Sequence, residues 1–467
     1  MTGITSCGAY IPMTRLPLSL IDGGAAQSDG PEKAVAYYDE DSVTMAVAAA
    51  VDCLAERARD EIDCVMFAST TYPMREKQGA VLIAKALDLR RDVETADYTG
   101  SLRSGTDALK GALRAVAAGA ARNALVVVGD CRMAAPRGAL ERNLGDAAVA
   151  FLVGSTDVIA TMDASTAIAN EMQDLWRSDG DDFTHSWENR FVVEEGYVPS
   201  MVEAVDALLE KTGSSAGDYA CHALYAHDAR SHATLVRRLK IDRDRVVDTL
   251  FGRVGNCGAS FAPLLLCAAL ERAQGGDKIL LAGYGDGAEA FSFSCHAAMA
   301  ASANRLGVAG HLERRRSLRS YDSYLRSRGL DKKEWEAGTG PGLSATIRMR
   351  ERDADIGLVG AACARCGQIH FPRPRICYKC YARDEWLPYR ISDKTGEVLS
   401  YTFDFFFPAP EPPTIMTIVD VEGCRVHIQL ADIAPDRVKL ELPVRFMFRK
   451  LHDAGGKPNY FWKAVPA

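Results

Sequence analysis

The sequence predicts an α/β protein: a layered body of two similar halves, followed by a small antiparallel β module. Three observations predict it. From Met1 to about Ser302, apolar β-type runs alternate with Ala-rich helical stretches. A small-residue turn leading into an apolar helix, and then a strand, recurs in outline in each half. After Gly357 the composition changes, with four cysteines in two pairs ahead of short alternating runs.

In chain order, "CVMFAST", "NALVVVGD", "AAVAFLVGS", "CHALYAH" and "KILLAGYGDG" are the strand candidates of the body. "DSVTMAVAAAVDCLAERA", "GTDALKGALRAVAAGA" and "GASFAPLLLCAALERAQ" read as helices buried on most faces. Near-continuous apolar strands covered by such helices imply a layered sheet. The break between the halves falls near residues 155 to 170, giving expected units of 1–165 and 166–345. His311 to Gly329 reads as one strongly basic helix. Such a run is ordinarily a solvated face; the alternative is a surface for an anionic ligand or a partner domain. Residues 336–357, Gly-rich and then charged, read as a linker. In the third unit, 357–467, "EVLSYTFDFFF", "PTIMTIVDV", "CRVHIQLA" and "PVRFMFRKL" alternate as barrel strands.

Bulk properties exclude several classes. With 55 basic and 62 acidic residues, the net charge of −7 argues against nucleic acid as the main partner. No apolar run approaches the roughly 20 residues of a spanning helix, so no membrane is expected. "MTGITSCGAYIPM" lacks the pattern of a signal peptide. Thirteen cysteines, an odd count scattered through apolar segments, suit a reducing cytoplasm.

Cys363, Cys366, Cys377 and Cys380 form C-x2-C, ten residues, C-x2-C. Each pair closes two thiolates around one tetrahedral ion, and the intervening loop carries Gly367, Pro372 and Pro374. The expected metal is zinc. Four thiolates leave no open position, so its role is structural.

"GAYIP", "YDEDSVTMAVAAA", "GDAAVAFLVGS", "DLWRSDGDDFTHSWENRFVVEEGY", "GRVGNCGAS" and "GDKILLAGYGDGAEAF" together resemble hydroxymethylglutaryl-CoA synthase of the thiolase superfamily. The tail from Gly357 resembles the rubredoxin-like zinc ribbon and OB-fold proteins that accompany thiolases, here fused into the chain. The resemblance implies a thiolase-like, five-layered αβαβα fold. It implies a homodimer built across the N-terminal halves, and an acyl-CoA substrate whose pantetheine arm reaches a buried site. A separate thiolase subunit is a further implied partner.

Family synthases use a cysteine that takes the acyl group, a glutamate that handles the methyl proton, and a histidine with a nearby asparagine. The resemblance places the histidine at His227 in "LYAHDAR" and the asparagine at Asn256 in "VGNCGAS". The cysteine position falls on Leu102 in "SLRSGT", with Gly105 and Thr106 in place; the glutamate position falls near Thr70 in "FASTTYPM". Leucine cannot form a thioester, and threonine cannot replace a carboxylate as a base near neutral pH. Cys257 and Cys131 are thiols at other corners, most simply small apolar fillers. Ser101, Ser104, Tyr72 and Tyr284 are the remaining polar candidates, and Tyr284 at a strand end is the expected acid or base.

Three functions are open on these residues. One is aldol or retro-aldol chemistry on a β-hydroxyacyl-CoA, which needs no acyl-enzyme. Another is a non-catalytic subunit that scaffolds a thiolase. A third is a C-acyltransferase using the acyl donor directly.

Overall fold

The computed structural model describes residues 1–467 apart from Ser28, Ala301, Ala303, 332–343, Pro408 and Gly455. The chain divides into two compact units. The first comprises Met1–Tyr37, Asp41–Val81 and Arg90–Tyr321; the second comprises Tyr38–Glu40, Leu82–Leu89 and Asp322–Ala467.

Nine strands of the first unit, among the described residues, form one mixed sheet. They are β1 (Gly3–Tyr10), β2 (Cys64–Ala68), β3 (Glu94–Tyr98), β4 (Ala124–Cys131), β5 (Asp146–Gly154), β6 (Ala160–Ala169), β7 (Cys221–Leu224), β8 (Lys278–Tyr284) and β9 (Gly287–Cys295). Their spatial order is β7-β8-β9-β6-β1-β5-β4-β2-β3. The two halves of the sheet meet at a single pair, Ile4 against Ala160. Each half has parallel neighbours, β4-β2-β3 and β7-β8, beside antiparallel ones. The expected repeat is therefore visible as topology.

The helices that cover this sheet include α1 (Ser42–Leu54), α2 (Ser104–Ala117), α3 (Val198–Thr212) and α4 (Phe261–Leu270). Helix α1 starts where the Asp41 side chain accepts from the backbone of Val43 and Thr44, while Thr44 Oγ1 accepts from the Asp41 N–H. That reciprocal cap satisfies donors the first turn leaves orphaned. It packs on β1, β4 and β5. Helix α4 touches β7 and β8 of one half, β1 and β5 of the other, and α2. Phe261, Leu264, Leu265 and Leu266 of α4 are all fully buried, as an all-round apolar helix requires.

The basic stretch 311–329 is not one helix. It contains the end of a helix at Gly307–Glu313, a short strand at Arg316–Ser317, and a helix at Tyr321–Ser327. Arg316 and Ser317 pair in parallel with Thr14 and Arg15, and that pairing overrides the helical propensity of the arginines. Of the stretch read as a linker, 336–343 lies outside the described residues. Ala345–Asp355 is a helix, begun by the Ser344 hydroxyl accepting from Ile347 N.

In the second unit, β10 (Val359–Cys363) pairs with β11 (Ile369–His370) and β12 (Trp386–Arg390) around the four cysteines. Beyond them β13 (Gly396–Asp404), β14 (Thr414–Val421), β15 (Cys424–Leu430), β16 (Pro443–Ala454) and β17 (Lys457–Pro466) close a barrel in the order β13-β14-β15-β17-β16. Strand β17 was not foreseen from the sequence. It pairs with β16 from Val444 against Pro466 to Ala454 against Lys457, and buries Trp462 beside Phe448.

Candidate active site

Strand ends of the first unit converge on the buried carboxylate of Asp130, at the end of β4. Its Oδ1 accepts from Ser69 Oγ at 3.0 Å, Thr70 N at 2.7 Å, Thr71 N at 3.1 Å and Thr71 Oγ1 at 2.9 Å. Its Oδ2 accepts from Thr70 Oγ1 and Ala259 N, both at 2.8 Å. A carboxylate so satisfied ties the turn after β2 to the turn before α4. Gly258 sits between them at φ +62°, and a Cβ there would stand 2.3 Å from Asp130 Oδ2. Only glycine fits.

Two residues on, Arg132 is buried and reaches Asn256. Its Nη1 lies 3.2 Å from Asn256 Oδ1, which also accepts from Gly258 N at 3.0 Å. Asn256 Nδ2 donates to Tyr225 Oη at 2.8 Å and to the Ala226 carbonyl at 3.0 Å. Both amide hydrogens are thus used within the protein.

A cavity of about 270 Å³ opens beside this network. Thr70, Ser101, Leu102, Arg132, Asp174 and Trp176 are among its walls. Leu102 and Thr70, distant in sequence, therefore face one space. Gly285, after β8, backs the same corner; a Cβ there would lie 3.0 Å from Leu102 Cβ. Asp174 is buried. One carboxylate oxygen accepts from Leu175 N at 2.6 Å, and the other, Oδ2, has no hydrogen-bond partner among the described residues.

His227 lies beyond the end of β7 and is 8% exposed. Its Nε2 is 2.8 Å from Asn189 Oδ1; its Nδ1 is buried with no hydrogen-bond partner among the described residues. With the amide oxygen facing the ring, Nε2 carries the proton. Burial lowers the His227 pKa below the ordinary range, so the ring is neutral near pH 7. Tyr284 ends β8 and packs edge-on to Tyr197, with ring centroids 5.3 Å apart, and near Tyr225 at 5.9 Å. Burial, and then the Asp174 carboxylate, push its phenol well above the usual range. It is a proton donor in this setting, not a resting base. His227, Asn256 and Tyr284 surround the cavity network without lining the cavity.

Of the other candidates, Ser101 lines the cavity and Ser104 is buried, with no partner for its hydroxyl among the described residues. Tyr72 packs on Phe67, with ring centroids 5.7 Å apart, and does not line the cavity. Burial pushes the Cys257 thiol up to about 12. It is fully buried and protonated near neutral pH. Asp174 and Asn189 lie inside a long matched motif, and Arg132 lies just past the run "NALVVVGD"; sequence reasoning singles out none of them. Arg132 has the one local signal, a charged residue just after an apolar run; Asp174 and Asn189 follow polar stretches and have none.

In the second unit, the sulfurs of Cys363, Cys366, Cys377 and Cys380 all lie within 4.8 Å of one another. Cys363 and Cys380 are 3.6 Å apart, and Cys366 and Cys377 are 3.7 Å apart. Tetrahedral Zn–S bonds of about 2.3 Å require sulfurs about 3.8 Å apart, so the set fits such an ion.

Comparisons with known proteins follow the same lines. Residues 209–295 match the family model described as 3-oxoacyl-acyl-carrier-protein (ACP) synthase III C terminal. A crystal structure of HMG-CoA synthase complexed with CoA superposes with a TM-score of 0.63 at 21% identity, covering 72% of this chain and 92% of that one. The β-ketoacyl-acyl-carrier-protein synthase III of Thermus thermophilus superposes at 0.56 with 22% identity, covering 63% and 99%. The fold is that of the thiolase superfamily. The hydroxymethylglutaryl-CoA synthase of Pyrococcus horikoshii is 29% identical over 335 residues, 70% of this chain and 95% of that protein. That of Pyrococcus furiosus is 30% identical over 299 residues, 62% and 85%. That of Thermococcus onnurineus is 31% identical over 300 residues, 62% and 85%. The chain belongs to the hydroxymethylglutaryl-CoA synthase family.

Proposed function

We propose that this chain acts on an acyl-CoA and makes or breaks a carbon–carbon bond without an acyl-cysteine, by aldol or retro-aldol chemistry on a β-hydroxyacyl-CoA. One observation carries the reading. The cavity wall holds Leu102 and Thr70 where the family's cysteine and glutamate are expected, yet keeps a buried guanidinium and a buried carboxylate, Arg132 and Asp174. Acyl transfer through a cysteine thioester has no thiol there, whereas a base and an anion holder remain.

In the cleavage direction Asp174 takes the proton of the β-hydroxyl. The oxygen's electron pair forms the new C=O at C3, and the C2–C3 bond breaks. Its pair passes to the thioester as an enolate, whose oxygen Arg132 and the His227 N–H hold. The proton returns to C2, leaving a shorter acyl-CoA and an aldehyde or ketone. Asn256 positions Arg132 and Tyr225, and Tyr284 offers its neutral phenol as a hydrogen-bond donor, with no net proton transfer. Leu102 is a wall that shapes the acyl pocket. The four-cysteine cluster holds a structural zinc, and the barrel is an OB-fold joined to a zinc ribbon. The paired sulfur distances support the first of these.

The test is a panel of β-hydroxyacyl-CoAs incubated with the full chain, followed by mass spectrometry for the shorter acyl-CoA. Arg132→Met and Asp174→Asn are each expected to lower kcat by about a hundredfold or more while free CoA still binds. A panel with no cleavage, and no condensation in reverse, overturns the reading.

A further inference from the structure

The partner of His227 is unusual for a group assigned to substrate. Asn189 belongs to an exposed stretch, residues 185 to 190, yet its side chain reaches a ring that is 8% exposed. What it presents there is an amide carbonyl oxygen, 2.8 Å from Nε2. A thioester carbonyl offers the same acceptor to the same N–H.

We infer that Asn189 is a placeholder for the substrate carbonyl: it occupies the His227 N–H in the free protein and is displaced when an acyl-CoA enters. The inference rests on the proposed role of His227 at the thioester oxygen. Connectivity supports displacement by a ligand. The hairpin of Leu175–Trp176 and His185–Ser186 supplies Leu175, Trp176, Arg177 and Thr184 to the cavity and then runs straight on to Asn189. Trp187 N donates to the Asp174 carbonyl at 3.0 Å, and the Trp187 ring lies 6.1 Å from that of Trp176. A ligand seated against Trp176 and Asp174 meets the same strand that carries the placeholder. The stretch is otherwise uncovered, with Trp187 54% and Phe191 53% exposed, so little packing opposes its shift.

A placeholder has a signature that a structural contact lacks. Removing it should strengthen binding only for ligands that bring their own carbonyl. Titration calorimetry on the full chain with acetyl-CoA and with free CoA reads this directly. Asn189→Ala is expected to raise the affinity for acetyl-CoA about two- to tenfold, the worth of one neutral hydrogen bond, and to leave free CoA unchanged. Asn189→Asp, a stronger acceptor, is expected to weaken acetyl-CoA binding and to raise the His227 pKa seen by nitrogen NMR of the imidazole. His227→Ala separates the two layers. If it lowers the acetyl-CoA to CoA affinity ratio while Asn189→Ala leaves that ratio unchanged, the placeholder is overturned alone. If neither variant moves the ratio, the role of His227 at the carbonyl is overturned, and the placeholder with it.

Discussion

Arg132 Nη1 stands 3.2 Å from Asn256 Oδ1, so the end of β4 and the turn before α4 share one buried hydrogen bond at the wall of the cavity. The guanidinium lines the cavity, and the asparagine spends its own hydrogens on Tyr225 and Ala226. That leaves the asparagine no free amide hydrogen, while the guanidinium stands at the cavity wall.

Asp130 holds this geometry. Its six donors come from Ser69, Thr70, Thr71 and Ala259. Asp130→Asn would set an NH2 group against buried N–H and O–H donors. The expected cost is about 3 kcal/mol or more, read as a lower denaturation midpoint for the first unit. A midpoint equal to that of the parent protein would rule out the anchoring role.

Leu102 lies just before α2 and lines the cavity. A thiol there would gain the helix N-terminus that lowers its pKa. Leu102→Cys is expected to react with iodoacetamide far faster than Cys257, whose thiol burial holds at about 12. With acetyl-CoA its sulfur should attack the thioester and release CoA, adding one acetyl group in intact-mass spectra. An unlabelled cysteine would mean that the corner does not face the acyl site.

The four sulfurs of the second unit pack with Ala382 and Trp386 in a cluster too small to be a core by itself. Metal analysis should find about one zinc per chain. Chelation, or Cys366→Ser, is expected to remove the melting transition of the second unit. Retention of that transition in a metal-free chain would refute the structural role.

Two histidines make stability depend on acidity. Burial pulls His222 and His232 down to about 4 from the ordinary 6.5. Above pH 6.5 both are neutral, folded or unfolded, and contribute no slope. Between 6.5 and about 4 the unfolded chain binds their protons first, so stability falls as pH falls. Thermal midpoints should be level from pH 8 to 6.5 and decline below; His232→Gln should make the decline shallower. A level profile down to pH 4.5 would contradict this.

Much of the body was legible in the sequence because its signals are local. The apolar runs of β2, β4, β5 and β8, and the small-residue helices α2 and α4, need no partner to be recognised. The basic stretch misled because Arg316 and Ser317 take their conformation from Thr14 and Arg15, about 300 residues away. Strand β17 was missed because Pro458, Asn459 and Lys463 break up its apolar run; the strand is nearly continuously buried, and its conformation is set by pairing with β16.

By itself the sequence determined the layered α/β class, the spacing of the four cysteines, and the absence of cysteine at position 102 and glutamate at position 70. These are facts of residue type and short-range spacing. Only the tertiary structure decided that Leu102 and Thr70 share one cavity, that Arg132 and Asp174 supply its buried charges, and that Asn189 reaches His227. Each of those depends on strand ends brought together by sheet order. Sheet order is set by long-range pairing and burial, which no local pattern encodes.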